Sequence, residues 1–279
     1  MKKKLLALYS LKYNPFSPEL PDQALFVSPQ IDSFCWRIEH QLTEGGFGQV
    51  VGDPGTGKSV VLRILARRLN DLGDVAVGIL SRPQASVADF YRELGEIFAV
   101  ALSPHNRWAG AKVLREKWQS HIDSSLYRPV LLIDEAQEMN TSVLCELRLL
   151  ASTRLDSRNI LTVVLSGDER LTEKLQDPEL LPIGSRIRTR LRTQYASPAQ
   201  LHQCLAHLLK QAGNPRLMTA ELMKALCAHA AGNMRVLMNM ANDMLAAAVQ
   251  AEKNQLDEKL FFEVFDMQAK SARAKKSSS

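Results

Sequence analysis

The chain has 279 residues, 46% hydrophobic and 23% charged, which is enough apolar material for one large domain or a core with a smaller companion. Its net charge of +5 comes from the ends: Lys2, Lys3, Lys4, Lys270, Arg273, Lys275 and Lys276 leave 28 basic against 30 acidic residues between them, which excludes a globally basic nucleic-acid binder. Four cysteines without a CxxC pair (Cys35, Cys145, Cys204, Cys227) and six scattered histidines, His202 and His207 being five apart, exclude a disulfide framework and a zinc site and suit a reducing cytoplasm.

The opening "MKKKLLALYSLKYNPF" imitates a secretory leader, but the run Leu5–Tyr9 is too short for its apolar region and Lys12 interrupts it. No stretch approaches the ~18 apolar residues of a membrane span, so a soluble, cytoplasmic protein with no membrane partner is expected. Pro15, Pro18 and Pro21 limit helix in a lead-in segment, residues 1–28. A helix is expected near Ile31–Leu42.

"GQVVGDPGTGKSVVLRILARRL" follows. Val50 and Val51 end a strand, Gly52, Asp53, Pro54, Gly55, Thr56, Gly57, Lys58 and Ser59 form a loop, and a helical pattern begins. The order strand, G-x-x-x-x-G-K-S, helix is the context a phosphate-binding loop requires. Glycines let successive N–H groups turn inward toward a phosphate, and the helix N-terminus adds positive potential. Lys58 would reach the β- and γ-phosphates of ATP, and the Ser59 hydroxyl would ligate Mg²⁺. "VAVGILSRP" reads as a second strand and "VADFYRELGEIFAV" as an amphipathic helix.

In "YRPVLLIDEAQEM" the continuous apolar run Val130–Ile133 suits a strand buried on both faces of a parallel sheet. It ends in Asp134 and Glu135, where open α/β sheets bind ligands. Asp134 would hold the metal shell, and Glu135 would orient or deprotonate the attacking water. A third strand, in "NILTVVLSGDERL", ends in Ser166, Gly167 and Asp168; either Ser166 or Asp168 could touch the γ-phosphate or that water. "GSRIRTRLRT" then places Arg186, Arg188, Arg190 and Arg192 at every second position, so an extended segment would show all four on one face. Arg188, Arg190 and Arg192 read best as a charged edge strand that resists pairing, with subunit or DNA-phosphate contact as the alternative. The nucleotide core is set at residues 29–196.

From Pro198 the pattern is helical, and most of the nine methionines fall there, among them Met218, Met223, Met234, Met238, Met240 and Met244. That suits an adaptable helical lid over residues 197–268. In "HAAGNMRVLMNM" Gly232 closes one helix, Asn233 caps the next, and Arg235 falls in its first turn, where an anion nearby would offset the helix dipole. Residues 269–279 read as a disordered basic tail.

These pieces resemble the AAA+ ATPases: "GDPGTGKS" as Walker A, "VLLIDEAQ" as Walker B, "VVLSGD" as sensor 1, "GSRI" as an arginine-finger box and "AGNMR" as sensor 2. The likeness implies an α/β P-loop core with a central parallel sheet, then a small all-helical lid, and Mg-dependent ATP hydrolysis. Lys58, Glu135 and Asp168 would serve catalysis in one copy, with Arg235 reading the γ-phosphate from the lid. Arg186 would be a finger supplied in trans, implying a ring or helical oligomer. Within the superfamily, "LKYNPFSPE", "DEAQEM", "LRLLAS" and "LSGDERL" are similar to the ExeA-like group and to TnsC- and TniB-type transposition regulators.

That similarity places Asn14 and Phe16 near the adenine. It also implies double-stranded DNA and a transposase as partners, with Arg82 and Gln84 after the second strand and Lys112, Arg115 and Lys117 on a basic helix as DNA contacts. The alternatives are an ExeA-like secretion ATPase and a helicase or replication loader. Relatives of the secretion type continue into a transmembrane helix and a peptidoglycan-binding domain that this sequence does not carry, so the transposition role is the expectation.

Overall fold

The computed structural model describes residues 2–101, 107–153 and 157–265; the expected basic tail, 269–279, lies outside them. The chain divides into two compact units, one of Val27–Thr193 and one that joins Met1–Phe26 to Gln194–Ser279. No helix among the described residues is long and apolar enough to cross a membrane.

In chain order the elements begin with α1 (Lys2–Leu8). The first unit then runs α2 (Pro29–Gln41), β1 (Gly46–Gly52), α3 (Lys58–Asp71), β2 (Val77–Leu80), α4 (Val87–Ile97), α5 (Arg107–Ser125), β3 (Val130–Ile133) and α6 (Thr141–Ala151). A short antiparallel pair, β4 (Ser152–Thr153) and β5 (Arg158–Asn159), leads to β6 (Thr162–Gly167), α7 (Glu169–Lys174), α8 (Leu181–Gly184) and β7 (Ile187–Thr193). Hydroxyl caps set several helix starts: Ser28 accepts from the Ile31 N–H and Ser86 from the Asp89 N–H.

The main sheet is five-stranded, in the order β2-β3-β6-β1-β7, and every neighbouring pair is parallel. β1, β3 and β6 are buried along their whole length, so their sequences read as apolar and small-residue runs, with Gln49 in β1 as a buried polar exception. β7 lies at the edge and alternates buried with exposed residues. The register levels the strand ends: Ile133 stands opposite Leu165, while Val51 stands opposite both Gly167 and Arg192. One rim of the sheet therefore receives the residues that follow β1, β3, β6 and β7.

Of the four alternating arginines, three lie in the strand. Arg188, Arg190 and Arg192 occupy the exposed positions of β7. Arg186 precedes it, on the turn that ends α8, so the expectation of four guanidiniums on one extended face is corrected to three. The backbone N–H of Arg186 still donates to the Ile183 carbonyl, which keeps it helical rather than extended. The edge faces carboxylates and carbonyls: Arg188 pairs with Glu44, Arg192 with Glu169 at 2.9 Å, and Arg190 donates to the Gly184 carbonyl at 3.0 Å.

The second unit packs α1 and the segment after it with α9 (Pro198–Ala212), α10 (Ala220–His229), α11 (Met234–Gln250) and helical residues 258–265. A capping box at Ser197 and Gln200 starts α9, and Thr219 caps α10. Leu201, Leu205, Leu222, Leu226, Leu237 and Leu245 form its apolar centre, to which Tyr9, Leu11 and Phe16 are added from the N-terminal segment. Met218, Met223 and Met244 are buried in it, and Met234, Met238 and Met240 pack against it. Gly232 has φ +85, and a Cβ there would lie 2.8 Å from that of Tyr195 and 2.9 Å from the Ala196 carbonyl, so only glycine fits.

Candidate nucleotide-binding site

The loop after β1 has the shape its glycines predict. Gly55 and Gly57 take φ +85 and +96, and α3 begins at Lys58 with no side-chain cap and no acid in its first turn. The first N–H groups of a helix have no intrahelical acceptor, so this uncapped start keeps donors available to an anion. Thr56 braces the loop: its hydroxyl donates to the Asp53 carbonyl at 2.7 Å and lies 2.7 Å from the Thr193 hydroxyl at the end of β7. Gly52 is required for that approach, since a Cβ on it would stand 2.3 Å from the Thr193 carbonyl oxygen.

Lys58 is only 7% exposed, and its ammonium donates to the Gly52 carbonyl at 2.9 Å and the Asp53 carbonyl at 3.2 Å. An ammonium has three protons, so one remains for a phosphate oxygen.

Across the rim, the Asp134 carboxylate accepts from the Ser166 hydroxyl at 2.8 Å and from the Glu135 N–H at 3.0 Å, both on Oδ1. Among the described residues no hydrogen bond falls on its Oδ2. Ser59 and Asp134 thus offer a hydroxyl and a carboxylate, the hard oxygen donors Mg²⁺ takes when phosphates and water complete its shell. Among the described residues no cluster of three or more His, Cys, Asp or Glu is placed to hold a metal unaided.

Glu135 is exposed and sits in the left-handed region at φ 51, ψ 39, an uncommon backbone for a residue with a Cβ. Its carboxylate accepts from the Gln137 side-chain amide. Asp168 is placed differently from Ser166. It caps α7, accepts from the Arg170 N–H at 3.0 Å and pairs with the Arg170 guanidinium at 2.8 Å. Those hydrogen bonds from Arg170 hold its carboxyl below the usual range, and Arg170 in turn reaches Glu138 at 2.8 Å. Of the two polar groups at the end of β6, only Ser166 touches Asp134.

The remaining candidates fall elsewhere. The Arg186 guanidinium donates to the Pro182 carbonyl at 2.9 Å. Arg235 lies in the first turn of α11, where the Asn233 side chain accepts from the N–H groups of Arg235 and Val236, and its own side chain is exposed. In the same helical unit Asn14 donates to Asn242 at 2.8 Å and accepts from the Phe16 N–H, while the Phe16 ring is buried in the apolar centre. Arg82 and Gln84 are exposed in the loop after β2, with Gln84 reaching Glu138 at 3.4 Å. On α5, Lys112 and Lys117 are exposed and Lys112 lies 3.8 Å from Glu116, whereas Arg115 turns its guanidinium onto the Leu149 carbonyl.

Two residues escape a linear reading: Gln137, visible only as the fourth letter of "DEAQ", and Thr193, the last residue of the arginine-rich strand. Both touch the site through neighbours that are distant in sequence.

Residues 40–175 match the family model described as an AAA domain. The chain is 30% identical over 186 residues, 65% of its own length, to General secretion pathway protein A of Aeromonas hydrophila, and spans about a third of that protein, 33%. Among solved structures it is similar to the Aeropyrum pernix ORC2 protein in ADPNP-ADP complexes, with TM-score 0.67 and 12% identity over 91% of this chain and 71% of that one. It is similar also to the Aeropyrum pernix ORC1 protein in complex with DNA, with TM-score 0.65 and 16% identity over 89% and 68%. The fold is that of P-loop AAA+ proteins: a central parallel sheet with surrounding helices and a helical portion.

Proposed function

We propose that this chain binds ATP with Mg²⁺ at the strand-end rim and hydrolyses it within an assembly of its own copies. The reading rests above all on the sheet register, which brings Lys58, Ser59, Asp134, Glu135 and Ser166 to one edge from three separate strands. The loop Gly52–Gly57 and the uncapped start of α3 would cradle the phosphates, with the third proton of Lys58 directed to a phosphate oxygen. Ser59 and Asp134 would hold Mg²⁺, which when bound neutralises charge on the β- and γ-phosphates. Ser166 would fix Asp134 and serve as the sensor 1 group in place of Asp168, whose carboxylate is committed to Arg170. Glu135 would orient the attacking water and take its proton.

Arg186, at the end of α8, is the residue assigned to the neighbouring copy's site; such fingers are worth ~10³–10⁵ in rate. Arg235, Asn14 and Phe16 are assigned to lid sensing and to the adenine side, roles that rest on the AAA+ resemblance. The test is turnover against protein concentration. A shared site requires specific activity to rise as copies associate, and a rate per chain that is constant under dilution contradicts it.

For the task coupled to hydrolysis, the favoured reading is assembly on double-stranded DNA as a cytoplasmic regulator acting with a transposase. Exposed Arg82, Lys112 and Lys117 support it, as does the likeness to a protein whose structure is a complex with DNA. Phosphate contacts of this kind would weaken steeply with salt. A second reading, an ATPase of a secretion system, is favoured by the 30% identity to General secretion pathway protein A. Electron microscopy with ATP, with and without duplex DNA, separates them: rings or spirals on the duplex support the first, and assemblies indifferent to it support the second.

A further inference from the structure

Gln137 is a polar side chain only 7% exposed, and both ends of its amide are used. Its Nε2 donates to the Glu135 carboxylate, and its Oε1 accepts from the Asp168 N–H at 3.3 Å. A flipped amide would set oxygen against carboxylate and N–H against N–H, so these partners fix the orientation. β6 makes room for it: a Cβ on Gly167 would lie 2.4 Å from Gln137 Oε1. The backbone is held as well, since the Lys174 ammonium donates to the Gln137 carbonyl at 3.1 Å.

One amide therefore spans from the acid after β3 to the peptide that follows β6. Ser166, two residues earlier on β6, holds Asp134. Asp134 and Glu135 are thus both referenced to the same strand end, one by a hydroxyl and one through Gln137. We propose that Gln137 is a positioning residue for hydrolysis: it holds the Glu135 carboxylate in place against the end of β6 and acts only through Glu135. This rests on the reading of Glu135 as the residue that orients the attacking water. A charged, exposed side chain on a left-handed backbone has little else to restrain it. Loss of orientation in a group that acts on water lowers the rate of the chemical step and leaves phosphate binding alone.

The test compares Gln137→Met, which keeps the length and loses both hydrogen bonds, with Gln137→Glu, which keeps the acceptor for the Asp168 N–H and loses the donor to Glu135. Binding of a fluorescent ATP analogue and single-turnover hydrolysis are measured for both, alone and combined with Glu135→Gln. The expected result is affinity within about twofold of the parent and turnover lower by about 10- to 100-fold in either variant. In the Glu135→Gln background neither change should lower the residual rate further, because the two residues act as a unit. Full turnover in Gln137→Met, an equal further loss in the Glu135→Gln background, or a matching collapse of affinity would each overturn the assignment. If Glu135→Gln alone hydrolysed at the parental rate, the reading of Glu135 would fall and take this inference with it. If Glu135→Gln is inactive while Gln137→Met is not, only the inference falls.

Discussion

The Ser166 hydroxyl donates to the Asp134 carboxylate at 2.8 Å, which links the ends of two neighbouring parallel strands by one charge-assisted hydrogen bond. Ser166 is fully buried, and Asp134 accepts from its hydroxyl in place of water. Ser166→Ala should lower stability by about 1.5–3 kcal/mol, the range for hydrogen bonds to charged groups. Urea unfolding measures it, and an unchanged midpoint would show that the bond contributes nothing net.

Lys58→Ala should abolish binding of ATP analogues while the chain stays folded. The ammonium donates to the Gly52 and Asp53 carbonyls, and the Asp53 carbonyl keeps the Thr56 hydroxyl and N–H as donors when the lysine is removed. Equilibrium binding with a fluorescent nucleotide checks the first part and circular dichroism the second. Retained affinity would remove this loop as the phosphate site.

Two glycines of the loop should fail for different reasons. Gly52→Ala drives a methyl into the Thr193 backbone at 2.3 Å, a fixed obstacle, and should cost about 1–3 kcal/mol with loss of the nucleotide site. Gly57→Ala meets nothing within 4 Å but must hold φ +96, costing about 1–2 kcal/mol through the backbone alone. Thermal melts of the pair, followed by crystal structures, would show displacement of β7 in the first and not in the second.

Arg186→Ala should bind ATP yet lose hydrolysis. Mixed with Lys58→Ala it should recover part of the activity, since one copy then offers an intact loop and the other an intact finger. The readout is phosphate release against mixing ratio. Co-assembled mutants that recover nothing would argue against a finger in trans.

The Asp168 carboxyl lies below the usual range because Arg170 donates to its charged form. A depressed carboxylate stabilises the fold above its unfolded pKa, about 3.9, and the contribution fades as pH drops through the folded value. Asp168→Asn keeps a good helix cap and removes only the charge. The substitution should therefore lower the melting temperature at pH 7, with the gap closing below about pH 4. A gap independent of pH would assign the effect to the cap.

What the linear sequence revealed was what neighbours along the chain determine. The loop at Gly52–Ser59 and the apolar run ending in Asp134 and Glu135 are legible because the chemistry and its spacing lie within one segment. Asn233 as the cap of α11 was legible for the same reason. The partnership of Ser166 with Asp134, of Thr193 with Thr56 and of Gln137 with the Asp168 N–H depends on which strands lie side by side, and no local pattern carries that. The alternating arginines misled at one end. Ser185 and Arg186 still donate to the Leu181 and Ile183 carbonyls, so α8 holds the chain in a helical turn before period-two geometry begins at Ile187.

The helical unit is assembled from both ends of the described chain, with Tyr9, Leu11 and Phe16 seated among side chains that follow Leu201. On the ribosome, those three are made first and must wait. The parallel sheet can close once Thr193 has emerged, whereas the helices cannot complete their interior until Leu256, Leu260 and Phe261 leave the tunnel. Synthesis therefore imposes an order on folding, sheet before helices, and leaves Tyr9, Leu11 and Phe16 without their helical partners until the later segments are made.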